Sequence, residues 1–352
     1  RVAPRRARPR LVGGCALWHL PLGTRASAAV DAGAEDEHAW QREDIRTDAG
    51  AVSFCDPVSW AAPTLCPQGG GHWSREELLS ALPAFARVYS GRPFRRNLWG
   101  MNTNHAFALW FTVRALRPLH VIESGVHRGQ STWLLREAAG PDARLYALDP
   151  KADSFLRYRD EGRGARTRYF MGERFQDLAE LDWNSYIPLA ERNRTLVMLD
   201  DHMSSSRRVR ELLARGFAHL WFDDNWRGAE CYSFNLLCSP LQPGEEHVPY
   251  LDHFGATAYL LSAEAHAANV RFFLEHLEAY FEFPPIFDGC GWDPEHALLS
   301  REAHLLSLGL PEVREDPYQY LSLHPPYVKL RLPGADPAAE APAACTRPGT
   351  PG

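Results

Sequence analysis

Residues 119–132 read Leu-His-Val-Ile-Glu-Ser-Gly-Val-His-Arg-Gly-Gln-Ser-Thr, and this stretch decides the fold. Leu119–Glu123 (LHVIE) is short and mostly apolar, with a β-branched centre, as expected of a buried strand. Gly125 and Gly129 follow, and then Gln130–Ala139 reads as a helix that Gly140-Pro141 ends. A strand that turns through glycines into a helix is the first half of a βαβ unit. Such glycines let backbone approach a ligand, and the helix N-terminus offers free N–H groups to a carboxylate or phosphate. An ordinary βα turn looks the same, so the surrounding residues must decide.

The rhythm continues outward. Asn102 or Asn104 can cap a helix that runs to about Arg117, where Pro118 stops it. Arg144–Leu148, Thr167–Met171, Thr195–Leu199 and Ala218–Phe222 read as four further strands. Ser204–Ser206 can cap a helix through Arg215, closed by Gly216. The expectation is an α/β, Rossmann-like, doubly wound and mostly parallel sheet with helices on both faces. Beyond this core, Val270, Phe273, Leu274, Leu277 and Phe281 recur at helical spacing, which predicts a long helix over about Ser262–Phe281. It would serve as a packed helix, a homodimer surface or a cover for the acceptor site. Tyr327–Leu332 reads as a late strand.

With 352 residues, 45% hydrophobic and 11% aromatic, a large core is expected and a wholly disordered chain is excluded. A net charge of −6, from 38 basic and 44 acidic residues, gives no support for nucleic-acid binding. The central apolar run, Ala106–Phe111, is far too short to span a membrane. Seven scattered cysteines do not make a disulfide scaffold, and no CxxC pair suggests zinc. In an oxidising compartment the close pairs would be Cys55/Cys66 and Cys231/Cys238; otherwise they are reduced thiols.

Residues 1–75 form an N-terminal extension, with six arginines and no acid before Asp31, then an apolar patch over Leu11–Leu22 and Ala26-Ser27-Ala28. That composition fits targeting to an organelle or the secretory pathway, or a disordered extension of a cytoplasmic chain. Residues 76–332 are the expected domain, and 333–352, rich in Ala, Pro and Gly, a disordered tail.

Ligands of open parallel sheets sit beyond the carboxyl ends of the strands. Asp149 follows the second strand, 26 residues after Glu123, where an acid can hold both hydroxyls of a ribose. A dinucleotide site needs Gly-x-Gly-x-x-Gly. Here the pattern is Glu-x-Gly-x-x-x-Gly, with Glu123 and His127 in the way of a pyrophosphate. A carboxylate repels pyrophosphate but can pair with an amino group, so S-adenosylmethionine fits better than NAD.

Val121–Asn225 resembles the class I S-adenosylmethionine-dependent methyltransferases, in particular the metal-dependent catechol and caffeoyl-CoA O-methyltransferases. The likeness is carried by Glu123–Ser131, Asp149, Gly172–Asp177, Leu199-Asp200 and Asp224-Asn225, in that order. The cephalosporin hydroxylase-like methyltransferases show a similar acid-plus-His element after the fourth strand and an acidic pair after the fifth. The resemblance implies Glu123, Gly125, Gly129 and Ser131 along the methionine half of the cofactor, Asp149 on the ribose, and Gly172 and Asp177 beside the adenine. It implies Asp200, Asp224 and Asn225 as metal ligands. Two carboxylates and an amide oxygen independently suit Mg²⁺ or Mn²⁺.

The chain departs from the catechol-type pattern at Met203, where those enzymes carry a basic lysine. His202 is the nearest substitute able to take a proton near neutral pH, and it could instead only orient neighbouring acids. Asp201 and Asp223 could be outer partners or could replace the proposed ligands by a one-residue shift. Four crowded acids need counter-charge, from a cation or from Arg207, Arg208 or Arg227. Trp99 and Trp226 could line the pocket or fill the core, and His247, His253 and His324 are solitary. Cys231 and Cys238 have no evident base partner. Asn193-Arg-Thr195 is a glycosylation triplet that matters only in a secreted protein.

The expected function is metal-assisted O-methylation of a small molecule or sugar hydroxyl. Its rivals are an NAD-dependent oxidoreductase that uses Asp149 on the ribose and a non-catalytic relative that scaffolds a partner.

Overall fold

In the computed structural model the described residues are 66, 73–95, 97, 100–161, 164, 166–225, 237–238, 247–250, 259–289, 291, 294–313, 317–321 and 324–333. Trp99, Trp226, His253, Cys55 and Cys231 lie outside them. So do most of the residues expected to form the N-terminal extension and the tail.

Helix α1 (Arg75–Tyr89) starts at Ser74, whose hydroxyl accepts from Glu77 N–H while Glu77 reaches back to the Ser74 N–H. Helix α2 (Thr103–Leu116) is capped by Asn102 and is buried on nearly all sides. Strand β1 (His120–Ser124) leads through the glycine turn into α3 (Gln130–Ala139). Strands β2 (Arg144–Asp149), β3 (Thr167–Met171) and β4 (Thr195–Leu199), helix α4 (Ser205–Ala214) and strand β5 (His219–Phe222) follow. Helix α1 was not among the expected elements; α2 to α4 and β1 to β5 match the sequence expectations to within a residue or two.

The later elements are β6 (His247–Tyr250), β7 (Tyr259–Ser262), α5 (Ala263–His276), β8 (Leu277–Glu282), the short α6 (Glu302–Ser307) and β9 (Pro326–Leu330). The main sheet has the order β3-β2-β1-β4-β5-β9-β8, and β6 and β7 pair separately. Strands β1 to β5 are parallel, whereas β9 runs antiparallel to both β5 and β8. Alternation assigns the two faces. On β4, Leu196 and Met198 join the core under α1, α2 and α3, and Val197 and Leu199 join the core under α4.

The long helix expected over Ser262–Phe281 is corrected. Helix α5 ends at His276, and Leu277–Glu282 is an edge strand of the main sheet. Leu277 and Phe281 suit both periods, and antiparallel pairing with β9, together with burial of Ala279, Tyr280 and Phe281, decides for the strand. The expected cysteine pairs are corrected as well, because Cys66 bonds to Cys238, 172 residues away. Both are buried beside Leu237, a long-range proximity that near-neighbour spacing cannot reveal.

Candidate active site

The chain reverses its winding direction at β1, which pairs with β2 on one side and β4 on the other, so the switch-point crevice lies at the ends of β1 and β4. The ends are in step. Asp200 N–H donates to Ser124 O at 2.8 Å, and Asp223 N–H to Leu199 O at 3.0 Å. This lays the residues that follow β1, β4 and β5 along one rim.

Gly125 is the tightest point. Its φ is +95°, and a Cβ there would lie 2.1 Å from the carbonyl oxygen of Asp200. The glycine turn and the acid after β4 are therefore in backbone contact. Gly129, also left-handed, would place a Cβ 2.4 Å from Tyr158 O, because the loop after β2 bonds back to Arg128 O. Both glycines are needed for close packing within the protein itself.

Glu123 is buried, with Ser131 Oγ donating to Oε1 and Thr132 Oγ1 to Oε2. Burial raises its carboxyl to about 8 despite those hydroxyls, and Asp149 adds to the rise. Asp149 accepts from Val126 and His127 N–H at Oδ2 and from Lys151 N–H at Oδ1, bracing the turn from below. His127 takes a left-handed backbone at φ +51°. Burial, then Lys151, Arg128 and His202, lower its pKa to about 3, so its ring is neutral. Gly129 gives α3 no side-chain cap, and beside it the buried His127 Nε2 and Gln130 Oε1 have no hydrogen-bond partner.

Geometry sorts the four rim acids. Asp201 is neutralised by the buried Arg208, 2.8 Å away, and also accepts from Ser124 Oγ and Met203 N–H. Asp223 faces His105 Nδ1 at 3.0 Å. Asp200 and Asp224 instead share one imidazole, His202 Nε2, at 3.6 and 3.2 Å. Burial and the charges of Asp223, Asp224, Asp201 and Glu123 hold the Asp200 carboxyl well above its ordinary range. Burial opposes charging of His202, but its hydrogen bond to Asp224 and the nearby carboxylates outweigh this and raise its pKa. Its backbone is left-handed at φ +55°, a strained position for a non-glycine residue.

Ligand atoms of Asp200, His202 and Asp224 lie within 4.8 Å of one another, a spacing that a single cation could bridge. They line a hollow walled by Leu199, Met203 and Phe222. Asn225, the third expected ligand, is fully buried, and its Nδ2 donates to His324 O. Asp177, expected beside adenine, has both oxygens held by Arg208 at 2.9 and 2.7 Å. Gly172 lies under Ala152 at the start of the turn after β3.

Two further residues shape this rim. Arg208, one of the three arginines expected as counter-charge, is a buried hub for Asp177, Asp201 and Glu211. His105 could have been found, as a lone histidine in the apolar helix α2.

No family model and no curated protein matches the chain. Solved structures do. The chain is similar to a methyltransferase from Geobacter sulfurreducens at 18% identity, covering 55% of this chain and 91% of that one, with a TM-score of 0.29. It is similar to the S-adenosylhomocysteine-bound methyltransferase PaMTH1 of Podospora anserina at 13%, covering 71% and 91%, TM-score 0.31. CmcI-D160 with magnesium and S-adenosylmethionine matches at 14%, covering 47% and 71%, TM-score 0.25. The strand order itself, with antiparallel β9 between β5 and β8, is the class I methyltransferase fold.

Proposed function

We propose that the chain transfers a methyl group from S-adenosylmethionine to an oxygen of a small molecule or sugar, assisted by a divalent cation. One observation carries this reading: the glycine turn touches the backbone of Asp200, so the cofactor turn and the pair Asp200/Asp224 form one surface.

The residues fit both groups. The uncapped start of α3 and the partnerless His127 Nε2 and Gln130 Oε1 suit the amino-acid end of the cofactor, which carries donors and acceptors. Glu123 and Ser131 would hold its amino group. Asp149 Oδ2 already accepts two N–H bonds and Oδ1 one, which leaves a site on Oδ1 for a ribose hydroxyl. Gly172 would flank the adenine through backbone, since Arg208 already occupies Asp177. Two carboxylates that repel one another suit a hard cation, Mg²⁺ or Mn²⁺, and leave His202 Nε2 beside it as the base. When bound, the cation would lower the pKa of an acceptor hydroxyl. Asp200 and Asp224 would orient that hydroxyl, His202 Nε2 would take its proton, and Leu199, Met203 and Phe222 would restrict water.

Titration calorimetry with S-adenosylmethionine, with and without Mn²⁺ or Mg²⁺, tests the proposal. Binding is expected, and absence of heat in every condition overturns it. Asp200→Asn and Asp224→Asn should keep cofactor binding and lose the effect of the cation.

A further inference from the structure

We infer that Asn193 carries an N-linked glycan and that the chain matures in an oxidising secretory compartment. Two independent observations converge. The first is the Cys66–Cys238 disulfide, buried in the core next to Leu237. Such bonds persist in secretory compartments and are rare where glutathione keeps thiols reduced. Forming it takes two electrons and two protons from the thiols, which an external disulfide accepts as it becomes a dithiol.

The second is the chain's one Asn-x-Ser/Thr triplet, Asn193-Arg194-Thr195. Asn193 is exposed at the end of the 3-10 segment Leu189–Arg194, immediately before β4. β4 then runs to Asp200, so the glycan leaves from the opposite rim, about 16 Å from the candidate site at roughly 3.3 Å per residue. It obstructs neither the hollow nor the glycine turn. Thr195 is buried, with its hydroxyl donating to Glu191 O, so the triplet can be read only before the domain folds. Transfer during translocation meets that condition. There Asn193 Nδ2 bonds to C1 of a lipid-pyrophosphate-linked oligosaccharide. The C1–O bond breaks, the lipid pyrophosphate leaves with the electron pair, and the amide loses one proton.

The test is to purify the chain from its own cells with its thiols alkylated, then digest it without reduction. Treatment with peptide-N-glycosidase in ¹⁸O-water should convert Asn193 to labelled Asp, and the Cys66 and Cys238 peptides should stay linked until reduced. An unmodified Asn193 peptide overturns the glycan, and alkylated Cys66 and Cys238 overturn the compartment. In a secreting eukaryotic host, Asn193→Gln should abolish the glycosidase mobility shift and Thr195→Ser should retain it. Transfer precedes folding, so cell lysate reports this even for a chain that is not secreted. A shift that survives in Asn193→Gln overturns the assignment.

Discussion

Where β1 and β5 begin, His120 Nε2 meets Glu191 at 2.7 Å, His219 Nδ1 meets Tyr327 Oη at 2.7 Å, and Tyr146 Oη donates to Tyr186 O. Where β4 and β5 end, Asp200 and Asp224 share a single imidazole. Among the described residues, His127, His202 and His324 hold left-handed backbone nearby, against Arg117 alone, the cap of α2, at the starting rim. One sheet thus carries a rim of short complementary pairs and a rim of crowded like charges. Strain and repulsion persist only where the surrounding structure enforces them, and they concentrate where a ligand can relieve them. The backbone contact at Gly125 does the enforcing.

Gly125→Ala should therefore give the largest effect. Its Cβ would overlap Asp200 O in a left-handed turn, and a loss above about 4 kcal/mol is expected, with cofactor binding abolished. Gly309, which closes α6, is also left-handed but has open space around it, so Gly309→Ala should cost only about 1 kcal/mol. Urea melts of the two variants measure the difference. Equal losses would mean that the turn is not pressed against Asp200.

Next in size is a pH dependence centred on Glu123. Glu123 holds its proton in the fold up to about 8, against an ordinary value of 4.5. Between those values the unfolded chain binds fewer protons than the folded one, so stability falls as pH rises. The contribution is fully present below the lower value and lost through the upper one, on the order of 5 kcal/mol in all. Glu123→Gln should flatten that slope in melts from pH 5 to 8. An unchanged slope would assign it elsewhere.

The difference between the rims also explains how much of the molecule was legible. Local signals carry the parallel core. Glycine turns, serine and asparagine caps and short apolar runs placed β1 to β5 and the helices between them, because each such signal acts within a few residues. They failed at Leu277–Phe281, where two periods overlap and a partner strand near residue 328 decides. Within the candidate site, sequence order could name Asp200, Asp201, Asp223 and Asp224 but not sort them. Arg208 and His105 do the sorting, from a different helix in each case. The Cys66–Cys238 bond was hidden for the same reason, since proximity across 172 residues belongs to the folded chain alone.

Asp200→Asn sharpens the comparison at a smaller scale. Removing one of several crowded carboxyls should stabilise the cation-free protein by about 1–2 kcal/mol. On the proposed reading Mn²⁺ stabilises the parent protein, and the same change should erase that gain. Thermal melts with and without the cation read both effects. A destabilised variant that still responds to Mn²⁺ would place the cation elsewhere.

The smallest effect belongs to the opposite rim. Glu191 is 40% exposed, so its pair with His120 is screened by water despite the 2.7 Å approach. Glu191→Gln keeps a hydrogen-bond acceptor for the ring and leaves the backbone carbonyl that receives Thr195 Oγ1 in place. A loss below about 1 kcal/mol is expected, with binding of cofactor and cation unchanged. A larger loss, or weakened cation binding, would mean that the two rims are coupled through β1 and β4. The charge crowding at one end would then depend on the pairing at the other.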